Sequence, residues 1–203
     1  MTAILDYGIG NVSSISNMLK KIGASNIITS NPEVINNAKK LILPGVGHFD
    51  YCMQQLRNAS FFELLQKKVL DEKTPILGVC VGCQMLMEKS EEGNINGLGW
   101  FDAESVQFDI SNKKRFKVPH MGWNRVTKKK NSLLMRNVPE FSEFYFVHSY
   151  HLKIRRESDL LSETEYEVTF PSAIEKNNIF GVQYHPEKSH DAGLQLIKNF
   201  IEM

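Results

Sequence analysis

Cys80 lies in the run Ile76-Leu77-Gly78-Val79-Cys80-Val81-Gly82, with one glycine two residues before it and another two residues after. A cysteine so placed is a candidate nucleophile. The flanking glycines let neighbouring backbone close in where a Cβ would clash. A sharp strand-to-helix turn needs that freedom to raise its central side chain above a sheet edge. The positive end of the helix that follows favours the thiolate. A second constellation is Gly181-Val182-Gln183-Tyr184-His185-Pro186-Glu187. His185 and Glu187 are two apart, so in extended backbone their side chains point the same way, and Pro186 stiffens the link. Glu187 then orients one ring nitrogen of His185 and stabilises its cation while the other nitrogen faces the nucleophile. In a third segment, Leu43-Pro44-Gly45-Val46-Gly47, the glycines allow backbone N–H groups to turn toward an oxyanion, although the same residues also suit a plain turn.

Other chemistries compete for these residues. Cys80 and Cys83 form a C-x-x-C pair at a strand-to-helix junction, so a dithiol redox protein is an alternative, and a partner-binding scaffold with a silent triad is another. A structural zinc needs two further ligands, and His148 and His151 are spaced too tightly for the usual finger pattern, so no metal is expected. Gly8-Ile9-Gly10 begins like a dinucleotide fingerprint. Ser13 stands where the third glycine belongs, however, and the second strand ends in Ser30 rather than an acid, which argues against a nicotinamide cofactor. With no phosphate-binding loop either, no cofactor is expected.

The elements that must position these residues alternate through the first half. Short apolar strands are predicted over residues 3–5, 26–29, 40–43 and 75–79. Helices are predicted over 12–22, from the cap Asn31-Pro32-Glu33, over 50–70 with a break near 58–60, and over 82–89. Strands alternating with helices imply parallel pairing with right-handed crossovers, hence a doubly wound α/β sheet with helices on both faces. In the second half, residues 100–108, 124–127, 143–152 and 165–170 suggest antiparallel strands beside that sheet. Residues 179–184 form a further strand, and 193–201 an amphipathic closing helix. Both chemical motifs then fall at carboxyl ends of parallel strands, the edge where such folds place their sites.

The 203 residues suit one domain, 1–203, with no internal repeat or linker. With 24 Lys+Arg against 23 Asp+Glu, the net charge of +1 offers no field to gather nucleic acid or an anionic membrane, so neither is an expected partner. The basic runs Lys113 to Arg115 and Lys128 to Lys130 read as solvated. Met1-Thr2-Ala3-Ile4-Leu5-Asp6 lacks the marks of a signal peptide, no apolar run reaches a membrane span, and three cysteines are too few and odd for a disulfide frame. A cytoplasmic protein is the expectation.

Together the segments Asp6-Tyr7-Gly8-Ile9-Gly10-Asn11, Pro44-Gly45-Val46-Gly47, Gly78-Val79-Cys80-Val81-Gly82-Cys83-Gln84, Pro119-His120-Met121-Gly122-Trp123-Asn124, Tyr145-Phe146-Val147-His148-Ser149-Tyr150 and His185-Pro186-Glu187-Lys188-Ser189 span nearly the whole chain. In them the chain resembles the class I, triad-type glutamine amidotransferases, and more closely the glutaminase subunits of imidazole glycerol phosphate synthases. The resemblance implies that Cys80 attacks the side-chain amide of glutamine, that His185 passes a proton to the departing ammonia, that Glu187 holds the histidine, and that water clears a glutamyl thioester. It implies an oxyanion hole at Val46, Gly47 and Val81 and a glutamine pocket at Gln84, Ser149 and Tyr150. Free ammonia would be protonated in water, and the sequence holds no second site for an acceptor, so the acceptor is expected on another chain. The resemblance makes that partner a (β/α)₈ cyclase subunit in a heterodimer of the histidine pathway, with Asn11, Met121, Trp123, Tyr145 and Lys188 as contact surface. Met121 and Trp123 suit core packing equally well. Related glutaminase–cyclase pairs that feed sugar amidation in surface polysaccharide synthesis are the alternative. His48, Val81 and Cys83 depart from the small residue, leucine and methionine usual in the family.

Overall fold

The computed structural model describes residues 1–203. Its first half follows the predicted alternation. β1 (Thr2–Leu5), α1 (Val12–Lys21), β2 (Asn26–Thr29), α2 (Pro32–Asn36), β3 (Lys40–Gly45) and α3 (Phe49–Asn58) lead through a kink into α4 (Phe62–Gln66). A π-helical turn, Lys67–Asp71, then precedes β4 (Ile76–Cys80) and α5 (Val81–Gln84). Asn31 caps α2 as its type predicts, its side-chain oxygen accepting from the Glu33 N–H at 2.8 Å. His48, one of the departures from the family pattern, caps α3: its Nδ1 accepts from the Asp50 N–H at 3.2 Å.

The second half holds β5 (Lys89–Ser90), β6 (Ala103–Gln107), β7 (His120–Arg125), β8 (Thr127–Lys128), β9 (Glu143–His148), β10 (Tyr150–Ile154), β11 (Leu160–Tyr166), β12 (Val168–Lys176), β13 (Ile179–Val182) and α6 (His190–Glu202). The main sheet runs β2-β1-β3-β4-β13-β12-β11-β8, parallel from β2 to β13 and antiparallel beyond. β4 is buried along its whole length, as a central parallel strand with an Ile-Leu-Gly-Val run must be. Register places Gly45 beside Cys80 and Val79 beside Val182. The ends of β3, β4 and β13 therefore open on one edge, which puts the three chemical motifs side by side.

Four local expectations fail. Residues 165–170 are not one strand but straddle the tight turn at Glu167, between the end of β11 and the start of β12. The helix after Cys80 stops at Gln84 rather than near residue 89, because the carbonyls of Met85, Leu86 and Met87 accept from Leu98, Trp100 and Gly99 instead of from later turns of a helix. The expected help from a helix dipole at Cys80 is therefore that of a single turn. Residues 143–152 are two strands in different sheets. β9 pairs only with β7, while β10 joins β6 and β5, and Ser149 sits at the corner between them. Lys128 and Lys130 are half-buried staples, not solvated charges: Lys130 Nζ donates to the carbonyls of Ser158 (2.7 Å) and Glu175 (3.1 Å), and Lys128 Nζ to that of Val138 (2.5 Å). No helix is long and apolar enough to cross a membrane.

Candidate active site

Cys80 closes β4 with φ +55° and ψ −115°, a conformation that costs a non-glycine residue roughly 1–3 kcal/mol and persists only where its surroundings enforce it. The enforcement is backbone contact. A Cβ on Gly82 would overlap the carbonyl of Leu43, and one on Gly78 would lie 2.7 Å from the carbonyl oxygen of Gly82. The turn after Cys80 is thus pressed against the end of β3 at a distance only glycine permits. Cys80 keeps 4% of its surface exposed.

His185 ends the neighbouring strand run. Its ring Nδ1 lies 2.8 Å from Glu187 Oε1, with both side chains almost wholly buried. A carboxylate can only accept, so Nδ1 carries the proton. Nε2 is buried with no formed hydrogen bond, and Cys80 is its near neighbour. Burial alone would lower the imidazole. Cys80 and Glu187 outweigh it and hold the ring up to about 10, which favours its cationic form. Its backbone is held from β9: the His185 N–H donates to the Tyr145 carbonyl at 2.8 Å. Ser189 Oγ donates to the His185 carbonyl (2.6 Å) and accepts from the Tyr145 N–H (2.9 Å).

Cys80 and His185 line a cavity of about 430 Å³ together with Val46, Gly47, Val81, Gln84, Ser149, Tyr150 and Lys188. Every residue expected at the oxyanion hole and glutamine pocket is thus on one wall or another. Gly47, with φ +92°, has an N–H that makes no intramolecular hydrogen bond. The loop that carries it is pinned from below, with the Tyr7 hydroxyl donating to the Pro44 carbonyl and the Cys52 thiol to the Val46 carbonyl at 3.3 Å. Burial pushes the Cys52 thiol up to about 12, which keeps it a donor rather than a second nucleophile. The Gln84 amide is already engaged, donating to the Tyr150 carbonyl and to Gln183 Oε1, both at 3.0 Å. Only its oxygen remains for a ligand.

Sequence reasoning missed Glu92. It lines the same cavity and accepts from the Phe49 N–H at 2.9 Å. The loop bearing it is tied to α3, where the Asp50 carboxylate accepts from the N–H groups of Asn94 and Ile95 at 3.0 Å each. No motif marks it, since the tie joins residues far apart in sequence.

Cys83 faces away from this cavity. Its side chain is fully buried against Gly181, and burial raises its thiol well above the ordinary value. Such a sulfur is a poor exchange partner for Cys80. Cys83→Ala is expected to keep glutamine hydrolysis within about twofold of wild type and to lose about 1 kcal/mol of stability. Steady-state rates and thermal denaturation check this, and a dithiol enzyme would instead lose nearly all activity.

Four of the residues read as partner contacts, Met121, Trp123, Tyr145 and Lys188, lie together. Met121 and Trp123 are 62% and 52% exposed, which rules out core packing for both. Trp123 stacks on His190 (5.7 Å, 8°) and meets the Tyr145 ring edge-on at 5.0 Å, while Lys188 Nζ lies 5.4 Å from the centre of that ring. Asn11, half-buried, opens α1, the helix that flanks the turn of Glu187 and Lys188. No cluster of His, Cys, Asp and Glu has the arrangement of a metal site.

Residues 3–203 match the family described as glutamine amidotransferase class-I. The chain is 52% identical to "Imidazole glycerol phosphate synthase subunit HisH 2" of Methanococcus maripaludis, covering 100% of this chain and 99% of that one. It is 45% identical to the protein of the same name from Pseudomonas aeruginosa, with full coverage of both (100% and 100%). Among solved structures, a glutamine amidotransferase superposes with a TM-score of 0.73 at 18% identity, covering 99% of this chain and 97% of that one. PurLQS of Thermotoga maritima gives 0.72 at 16%, with coverage of 99% and 97%. At those identities the structures speak for the fold alone. With a family match over essentially its whole length and full-length relatives at half identity, the chain belongs to the class-I glutamine amidotransferases, in the group of HisH glutaminase subunits.

Proposed function

We propose that this protein is the glutaminase subunit of an imidazole glycerol phosphate synthase. It hydrolyses glutamine to glutamate and ammonia in the cytoplasm and delivers the ammonia to a (β/α)₈ cyclase subunit docked on the face of Asn11, Met121, Trp123, Tyr145 and Lys188. The observation that carries this reading is the buried Cys80, with His185 and Glu187 behind it, in a cavity of amino-acid size. Cys80 Sγ, as thiolate beside the His185 cation, adds to the amide carbon of glutamine. The charge on the carbonyl oxygen is taken by the N–H groups of Val81 and the Val46–Gly47 segment, each such donor typically worth ~3 kcal/mol. His185 Nε2–H protonates the amide nitrogen, the C–N bond breaks, and ammonia leaves a γ-glutamyl thioester. Neutral His185 then takes a proton from water as its oxygen attacks the thioester, and the thiolate departs with glutamate released.

Glu92 is the carboxylate in the cavity that is not paired with His185, which suits it to the α-ammonium of glutamine. Glu92→Gln is therefore expected to raise the KM for glutamine by about 10-fold or more with little change in kcat, because the contact acts equally on ground and transition states. Coupled glutamate dehydrogenase kinetics measures the split.

The function itself is tested by mixing the purified chain with a cognate cyclase, supplying glutamine and the phosphoribulosyl substrate, and following ammonia-dependent formation of imidazole glycerol phosphate. An electrophilic glutamine analogue should label Cys80 alone, as read by peptide mass. Absence of glutamine turnover in the assembled pair overturns the proposal. The departures His48 and Val81, which flank the expected oxyanion hole, keep sugar amidation as a second reading of the acceptor. Rescue of a histidine auxotroph lacking its own glutaminase subunit decides between the two.

A further inference from the structure

The reaction leaves two buried histidines without a role. His148, which lines the cavity, sits directly opposite His120 in the β7–β9 pair. Its Nδ1 lies 2.8 Å from the carbonyl oxygen of Tyr150, and its Nε2 lies 2.9 Å from His120 Nδ1. His120 Nε2 in turn lies 3.3 Å from Asn124 Nδ2, which also donates to the Glu165 carbonyl at 2.9 Å. A carbonyl only accepts, so His148 must carry its proton on Nδ1. Its neutral Nε2 is then an acceptor, so His120 must also carry its proton on Nδ1, which leaves His120 Nε2 to accept from the amide of Asn124. One proton arrangement satisfies every contact, and a second proton on either ring would set N–H against N–H.

The surroundings keep both rings neutral. His120 is sandwiched between Phe146 (4.9 Å, 27°) and Tyr166 (4.0 Å, 29°), and Phe108 closes on His148 at 5.1 Å. The chain ends on the Tyr150 carbonyl, the atom that Gln84 also holds, at the Ser149 corner where β9 passes into β10.

We infer that His148 and His120 are positioning residues for the glutamine pocket. They form a proton-ordered pair that fixes the Tyr150 carbonyl and with it the Ser149–Tyr150 wall. His120 acts wholly through His148 and lies outside the cavity. The inference rests on the glutaminase reading for its kinetic consequence, but not for its proton arrangement.

The test has two arms. Long-range ¹⁵N–¹H spectra of histidine-labelled protein should show both rings as Nδ1–H tautomers, without titration over about pH 5.5 to 8.5. An Nε2–H tautomer or a titrating ring at either position overturns the inference whatever the enzyme does. In the kinetic arm, measured with the cyclase present, His120→Phe preserves the stacked ring but removes the donor to His148. It should raise the KM for glutamine about 5- to 20-fold while kcat stays within about twofold, and His120→Asn, which can donate from a similar place, should recover most of the loss. A fall in thermal stability with KM unchanged, or equal failure of both variants to bind glutamine, overturns it. If the wild-type pair fails to hydrolyse glutamine while the tautomers are as stated, the functional reading fails and the proton-ordered pair stands.

Discussion

Cys80→Ala should abolish glutamine hydrolysis, with kcat/KM at least about 10⁴-fold below wild type while glutamine still binds. The reasoning is specific to the geometry. The cavity walls, the free N–H of Gly47 and the Glu92 carboxylate all remain in the variant, so binding survives. What is lost is the one atom that forms the thioester. The other thiols cannot replace it: Cys83 is turned against Gly181, and Cys52 is committed to the Val46 carbonyl with its proton firmly held. Cys80→Ser should be nearly as inactive. A hydroxyl is not ionised by a neighbouring imidazolium, and without the thiolate the His185 proton has no partner step. Isothermal binding of glutamine together with single-turnover assays separates the two effects. Turnover in Cys80→Ala within tenfold of wild type would remove the nucleophile from its assigned place.

Gly82→Ala is the second large expectation, and it concerns both stability and chemistry. The added Cβ would overlap the Leu43 carbonyl oxygen and crowd the Pro44 carbonyl carbon, both backbone atoms of β3. No side chain can swing aside, so the elbow and β3 must separate. A cost of about 3 kcal/mol or more is in keeping with overpacking of this kind, enough to move a denaturant midpoint far or leave the protein insoluble. If soluble variant is recovered, the displacement should fall on Cys80 and on the Val46–Gly47 loop together, since Gly45 is in register with Cys80. Labelling of Cys80 by the glutamine analogue should then be slowed at least about 100-fold. A stable variant labelled at the wild-type rate would mean that the close approach at Gly82 is not what holds the elbow.

The parallel half of the fold was legible because its signals are local. Apolar runs at 26–29 and 40–43 became β2 and most of β3, and the cap at Asn31 opened α2 where its residue types require. The juxtaposition of Cys80, His185 and Glu187 was legible for the same reason: two flanking glycines and a two-residue His–Glu spacing each state their geometry within one element. What failed depends on distant backbone. Gln84-Met85-Leu86-Met87 has good helix formers, and burial of Met85, Leu86 and Met87 would suit a buried helix as well as any other element. Their carbonyls are claimed by the 98–100 segment, a tertiary demand that overrides propensity. Glu92 and the His148–His120 pair were invisible in the same way. The first needs the tie between Asp50 and residues 94–95, and the second needs the β7–β9 register.

β9 makes a further demand on the way the molecule works. At Tyr145 its backbone carbonyl receives the N–H of His185, and three residues on, at His148, its side chain governs the pocket wall. Its only strand partner is β7, whose outward side chains are the exposed Met121 and Trp123. A two-stranded ribbon cannot shift at one end without tilting at the other. In the proposed reaction the acid that releases ammonia and the wall that receives glutamine therefore hang from a single beam, and a load on its outer surface would adjust proton delivery and substrate fit in one stroke.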